Sequence, residues 1–151
     1  MLPPSMVDLL QTGVSVVVGT RDAALMPECT RAWGIRIGED RRTVTIFLTE
    51  AISPQTLKNL RENGLVAVSC TRPTDHVACQ LKGRVRNIRP TDQRDRKRSR
   101  DWHREFVEEI VAIGVPAETG QAWITEPDLA VEIDVTDVFQ QTPGPGTGEK
   151  I

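Results

Sequence analysis

The residue types that most often catalyse reactions unaided are sparse in this chain. Its two histidines, His76 and His103, fall in a predicted turn and on a predicted charged helix, and neither has metal-ligand spacing to a cysteine or another histidine. No serine lies in a nucleophile-elbow motif, and the adjacent Glu108 and Glu109 are expected on a solvated helix surface. An enzyme with this sequence would therefore take its chemistry from a cofactor, and no metal site is predicted.

Length and composition predict one ordinary soluble domain. The chain has 151 residues, of which 38% are hydrophobic and 26% charged, and its formal net charge is −2. Its three cysteines (Cys29, Cys70 and Cys79) are an odd number without CxxC spacing, which favours neither a disulfide framework nor a zinc site and indicates a reduced cytoplasmic compartment. The N-terminus lacks the features of a signal peptide, and no apolar run reaches membrane-spanning length. We expect no membrane partner.

Hydrophobic periodicity predicts six strands and three helices. The strands are expected over residues 14–20, 27–37, 43–49, 65–70, 77–88 and 129–139. A short helix capped by Ser5 ends at Gly13, and a second begins at Ser53-Pro54 and stops at Asn63-Gly64. The segment 38–42 is predicted to be a hairpin turn.

The third helix is strongly basic. Residues 89–104 contain seven basic residues against three aspartates, which could suit nucleic acid. A core-facing stripe runs through the same segment, because Trp102, Phe106, Ile110 and Ile113 recur at helical spacing before Gly114 ends the helix. We favour a solvated basic face, including Arg98, over a nucleic-acid site, since the whole chain is slightly acidic.

Six short strands with inserted helices predict a mainly β protein, a small antiparallel split β-barrel with one longer helix in its second half. No strand–helix–strand unit repeats, so a parallel sheet is not expected. Residues 1–151 form one predicted domain that ends in a Gly/Pro-rich tail, 141–151. The tail's glycines are not a dinucleotide fingerprint, because prolines interrupt them and no helix follows.

Several short segments together resemble a known family. They are PECTRAWGIR (27–36), TVTIFLTE (43–50), PQTLKNLRENGLVAV (54–68), CQLKG (79–83) and QTPGPGTG (141–148). In this order and spacing the chain resembles the flavin-binding split-barrel proteins related to pyridoxamine 5'-phosphate oxidase, over about 14–148. The resemblance implies a homodimer that binds flavin mononucleotide (FMN) in the groove between two barrels.

The resemblance also implies a phosphate site. Arg31 and Arg36 have the family's spacing of two basic residues near the flavin phosphate, and guanidinium groups pair well with phosphate. A regular strand would put positions five apart on opposite faces, so both can serve one ligand only if Gly34 makes a bulge. Thr49 and Ser53 match the next segment, where the family has Ser-Arg-Lys at a helix start. Here Pro54 and Gln55 replace the two cations.

Lys58, Gln80 and Trp33 complete the expected site, and Trp123 is a further candidate for the groove or interface. Lys58 lies one turn along the helix and could substitute for a missing cation, and Gln80 matches a glutamine that lies close to the flavin ring in the family. Trp33 and Trp123 are expected either in the groove or interface, or in the core. The tryptophan and Arg-x-His segment that the oxidase uses on its substrate has no counterpart, so true pyridoxamine-phosphate oxidase activity is not expected.

The sequence thus predicts a small FMN-dependent oxidoreductase. The alternative is a non-enzymatic barrel with lost or weak flavin binding, which binds another planar or anionic ligand such as haem or a deazaflavin. Arg31, Arg36 and Lys58 support the first hypothesis, and Pro54 and Gln55 support the second.

Overall fold

The computed structural model describes residues 1–123 and 125–151, and within them one antiparallel sheet of seven strands curls into a half-barrel. The strands are β1 (Ser15–Arg21), β2 (Pro27–Ala32), β3 (Ile35–Ile37), β4 (Thr43–Leu48), β5 (Leu65–Thr71), β6 (Ala78–Pro90) and β7 (Leu129–Gln140). They are arranged in the order β2-β1-β5-β6-β7-β4-β3. This confirms the predicted mainly β split barrel.

The strand count differs from the prediction, because residues 27–37 form two strands instead of one. Gly34 has a φ of +121°, a left-handed conformation that favours glycine, and it ends the regular pairing of the segment. As a result β2 lies at one edge of the sheet and β3 at the other. The backbone of Trp33 and Gly34 exchanges hydrogen bonds with Phe47 of β4, which brings the two edges together at this point.

The helices are α1 (Pro4–Leu10), α2 (Pro54–Asn63), α3 (Gln93–Ala112) and α4 (Ala117–Ala122), with a 3₁₀ turn at Glu50–Ile52. The N-cap position of the first helix is Pro3, which provides no side-chain cap, and not Ser5 as expected, because the helix starts two residues earlier, at Pro4. Helix α2 begins after Ser53 and ends at Gly64, as predicted. No described helix is both long and apolar enough to span a membrane.

The inward-facing side chains of the strands, together with α1 and α2, form the main core. Val16, Val18, Val66, Val68 and Leu81 belong to it and alternate along their strands with residues on the outer face. Leu57 and Leu60 of α2 pack into the same core, so that the helix is held against the inner face of the sheet.

Helix α3 packs outside the sheet over a second, smaller core. Trp102, Phe106 and Ile110 are buried there with Trp33, as the predicted stripe requires. The expectation for Ile113 is wrong: its side chain is 53% exposed, because the helix ends at Ala112 and Ile113 no longer follows the helical face. Arg98 is also less solvated than expected, since its guanidinium donates to the Ile35 carbonyl and pairs with Glu105.

Candidate functional site

A groove of about 910 Å³ lies on the outer face of the sheet, where β2, β1, β5 and β6 run side by side. Small residues form its floor: Gly19 of β1 is paired directly with Ala67 of β5. Cys29 and Lys82 flank this pair on the neighbouring strands. The volume falls within the range of roughly 300–1,000 Å³ that is common for small-molecule sites.

Strand register places two of the predicted site residues on this same face. Arg31 is paired with Val17, Val17 with Ser69, and Ser69 with Gln80. The Gln80 amide donates to the Ser69 hydroxyl over 3.2 Å, and the Arg31 guanidinium donates to the Ser15 hydroxyl over 3.3 Å. Three strand spacings, about 14 Å, separate Arg31 from Gln80. Both lie in the row next to the Gly19–Ala67 pair, and neither is among the residues that line the groove.

The N-terminus of α2 forms a second polar region. Ser53 is the N-cap residue, yet its side chain does not cap the helix, and its hydroxyl oxygen lies 3.3 Å from that of Thr30. Thr56, in the first turn, is buried, and its hydroxyl oxygen has no hydrogen-bond partner among the described residues. Uncapped N–H groups at a helix N-terminus attract anions, which makes this end of α2 a candidate for a phosphate or carboxylate, although Ser53 and Thr56 are both buried in the single chain.

The edge strand β2 lies between the groove and the start of α2. Cys29 lines the groove, whereas the next residue, Thr30, contacts Ser53. Because side chains alternate along a strand, Arg31 points back to the groove side, away from Ser53. A ligand that uses both regions must therefore extend around this edge.

Two other predicted residues lie elsewhere around α2. The Thr49 hydroxyl donates to the Glu126 carbonyl over 3.3 Å, and this threonine is buried at the end of β4. Lys58 is exposed on the surface of the helix. The seven predicted site residues therefore do not form a single cluster in one chain.

Arg36 belongs to an ion cluster beneath the start of α3. Its guanidinium donates to the carboxylate of Asp95 over 2.8 Å, and Arg89 of β6 donates to the same carboxylate over 2.5 Å. Burial alone would raise the pKa of Asp95, but hydrogen bonds from Arg89, the Asp92 backbone and Arg36 outweigh it and lower that pKa to about 2. Arg36 thus holds α3 to β3 and is committed to an anion of the protein itself.

Trp33 lies in the core of the protein. Its side chain is 6% exposed and meets Trp102 edge to face at 6.5 Å, and Ser99 donates to its carbonyl over 2.6 Å. Trp123 follows α4 and is 51% exposed, so it remains a candidate for an interface. Of the two tryptophans, Trp33 is the core residue.

Neither the groove floor nor Thr56 is predicted from the sequence. Gly19 interrupts a β-branched run, and Ala67 occupies an outward position of β5, which are signals of a surface that approaches another molecule closely. Neither signal says that the two positions are neighbours, because β1 and β5 are separated by more than forty residues in the sequence.

No protein-family model and no curated protein matches this sequence. Solved structures do match. HupZ from Group A Streptococcus is 18% identical, with 98% of this chain and 100% of that chain covered and a TM-score of 0.61. An F420 reductase is 15% identical (91% and 98% covered, TM-score 0.60). A candidate pyridoxamine 5'-phosphate oxidase from Lactobacillus delbrueckii is 14% identical (91% and 93% covered, TM-score 0.58).

Two further matches carry the names of different ligands. One is an FMN-binding protein from Syntrophomonas wolfei (8% identity, 87% of this chain and 80% of that chain, TM-score 0.55). The other is HutZ, the haem storage protein of Vibrio cholerae (11% identity, 92% and 94%, TM-score 0.53). Together the matches show that this chain has the split β-barrel fold of the pyridoxamine 5'-phosphate oxidase-related proteins. The resemblance found in the sequence is confirmed at the level of the fold.

Proposed function

We propose that this protein binds FMN and acts as a small flavin-dependent oxidoreductase. The observation that supports it most is the N-terminus of α2, which has no side-chain cap: the Thr30 and Ser53 hydroxyls meet there, and the Thr56 hydroxyl in the first turn is buried without a partner among the described residues. A buried hydroxyl without a partner costs free energy, about 1–3 kcal/mol, unless a ligand satisfies it. A phosphate has acceptor oxygens for such groups.

The residues present fit a molecule that joins a flat ring to a phosphate. The floor of Gly19 and Ala67 leaves room for a ring on the outer face, and Gln80, oriented by Ser69, presents an amide beside it. The flexible chain of FMN would cross the β2 edge between Cys29 and Thr30. When bound, the flavin would supply the electron-transfer chemistry that this chain's own side chains lack.

Affinity for FMN is expected to be modest. Pro54 and Gln55 take the place of two cations, and Arg36 is bound to Asp95. Each missing charged hydrogen bond costs roughly 1.5–3 kcal/mol of binding free energy. We therefore propose a dissociation constant in the micromolar range or above, with Arg31 and Lys58 as the remaining basic contacts.

The proposal includes a homodimer. The groove lies open on one face of the sheet, and Leu25 and Met26, at the adjacent hairpin tip, are 69% and 64% exposed. Apolar surface of this kind marks an interaction site, and a second copy would cover it and enclose the ring. We also propose a cytoplasmic location, which the exposed free thiol of Cys29 supports.

The second candidate is a non-enzymatic barrel for another planar anion, haem or a deazaflavin. Pro54 and Gln55, where cations were expected, favour it, because they weaken the contacts specific to the FMN phosphate. The residues that line the groove include Cys29 but neither His76 nor His103, so histidine ligation of a haem iron in the groove is not supported for a single chain.

Absorption spectroscopy of the purified protein, with mass spectrometry of what denaturation releases, separates these candidates. Release of FMN supports the oxidoreductase proposal, and release of haem or a deazaflavin supports the second candidate. A protein that releases nothing is titrated with FMN, haem and a deazaflavin in turn. Failure to bind any of the three contradicts both candidates.

A further inference from the structure

Two arginines lie on the outer face of the sheet at one end of the groove. Two residues beyond the Gly19–Ala67 pair, Arg21 of β1 and Leu65 of β5 follow on the same face. Leu65 is paired in turn with Arg84 of β6. Arg21 and Arg84 therefore flank Leu65 two strand spacings apart, with roughly 10 Å between their Cα atoms. All three residues line the groove.

The structure leaves most of this positive charge uncompensated. The Arg84 side chain is exposed and makes no hydrogen bond or ion pair with the described residues. Arg21 uses one N–H group, which donates to the Asp22 carbonyl over 3.1 Å. Two acidic residues line the groove. Asp137 is already paired with Lys150, so Glu28 is the one groove carboxylate without an ion pair among the described residues.

Arg84 also lines a second cleft of about 530 Å³ between α2 and β6. Two further arginines line that cleft, and both have carboxylate partners: Arg61 pairs with Glu50 over 3.4 Å and Arg86 with Asp134 over 2.5 Å. The unpaired guanidinium is thus the one that lies where the two cavities meet.

We propose that Arg21 and Arg84 form an anion subsite for a ligand that carries a carboxylate or phosphate on an apolar body. The apolar body would lie on Leu65, at the end of the Gly19–Ala67 floor, and the anionic group would be held between the two guanidinium groups. An apolar floor beside two guanidinium groups favours such amphipathic anions over neutral molecules. The inference that this ligand is the second reactant of a flavin enzyme rests on the proposed function. The anion site itself does not.

Two fluorescent probes of similar shape test the subsite. 1-Anilinonaphthalene-8-sulfonate carries an anionic group, and N-phenyl-1-naphthylamine has the same aromatic body without it. With the full chain as purified, Arg84→Ala and Arg21→Ala should each weaken sulfonate binding about fivefold or more, because each loses a charge-assisted contact. Binding of the neutral probe should change less than about twofold. The sulfonate affinity of Arg84→Lys should lie between those of the wild type and Arg84→Ala, since lysine keeps the charge but loses the paired N–H donors of the guanidinium group.

Arg94→Ala is the matched control, because Arg94 is an exposed arginine on α3, away from the groove. This substitution should change the affinity for neither probe. The subsite is contradicted if the sulfonate does not bind, or if the Arg84 and Arg21 variants behave like the Arg94 variant. The titrations are repeated with FMN added. If the two variants lose sulfonate binding but FMN does not bind to the protein, the anion site is supported and the proposed flavin function is rejected.

Discussion

Arg31 and Arg36, only five residues apart in the sequence, lie at opposite edges of the same seven-stranded sheet. The chain leaves β2 at Ala32, turns at Gly34 and enters β3, while the sheet between these edges runs through all the other strands. The first arginine lies on the same outer face of the sheet as the groove, and the second holds the buried carboxylate of Asp95. The two arginines of this motif therefore have different roles.

Arg36→Ala should destabilise the fold, and Arg31→Ala should not. Removing Arg36 takes one of two charged donors from a buried carboxylate, which should lower the free energy of unfolding by about 1.5–3 kcal/mol. Arg31 is exposed, so its variant should stay within about 0.5 kcal/mol of the wild type. Urea denaturation followed by circular dichroism measures both. Equal stability of the two variants would show that the Asp95 cluster does not stabilise the fold.

Asp95 should also make stability depend on pH in the acid range. Its pKa is lowered to about 2 in the folded protein, against roughly 3.9 in an unfolded chain. A lowered folded pKa gives stability that is complete above about pH 5 and disappears as the pH falls toward 2, about 2–3 kcal/mol in total. The difference in unfolding free energy between wild type and Asp95→Asn, measured from pH 2 to 6, should shrink over that interval. A difference that stays constant with pH would contradict the ion pairing.

Local sequence signals predicted the elements well, and they could not predict the long-range pairs. Ser53-Pro54 and Gly64 fixed the ends of α2, and the four-residue spacing of Trp102, Phe106 and Ile110 fixed the buried face of α3. The salt bridge from Arg36 to Asp95 spans 59 positions, so no local pattern reveals it. Gly34 was the one local signal that residues 27–37 form two strands instead of one.

The candidate site was predicted in part for the same reason. Arg31, Ser53 and Gln80 came from motif spacing, and strand register places Arg31 and Gln80 on the groove face. The floor needed the order of β2, β1, β5 and β6, which only the folded sheet provides. The polar character of the α2 N-terminus was foreseen from Ser53, but the unpartnered hydroxyl of Thr56 was not.

Gly19→Leu should fill the groove without disturbing the fold. A Cβ atom at Gly19 would meet nothing closer than the Ala67 carbonyl oxygen at 3.8 Å, so the added side chain can project outward. We expect FMN binding to fall at least tenfold and the dimer to dissociate at higher concentration, by sedimentation with and without FMN. Asn87→Leu, at an exposed position of β6 outside the groove, is the control. Unchanged FMN affinity in the Gly19 variant would place the ring elsewhere.

Thr56→Val should leave the protein without ligand as stable as the wild type or more stable. The hydroxyl of Thr56 is buried and unpartnered, so its replacement by a methyl group removes a desolvation cost of about 1–3 kcal/mol. Thermal unfolding checks this. The control is Ser99→Ala, since Ser99 is buried with its hydroxyl bonded to the Trp33 carbonyl and should lose stability. A Thr56 variant as destabilised as the Ser99 variant would show that its hydroxyl is already satisfied.

Recognition of a flavin phosphate by the α2 N-terminus is tested most directly by parallel titrations with FMN and riboflavin. Fluorescence titration of the wild type should give FMN an affinity at least about tenfold higher than riboflavin, a difference of about 1.4 kcal/mol. In Thr56→Val that preference should shrink while riboflavin affinity stays the same. Equal affinity of the wild type for the two flavins, or no binding of either, would contradict recognition of the flavin phosphate by the α2 N-terminus.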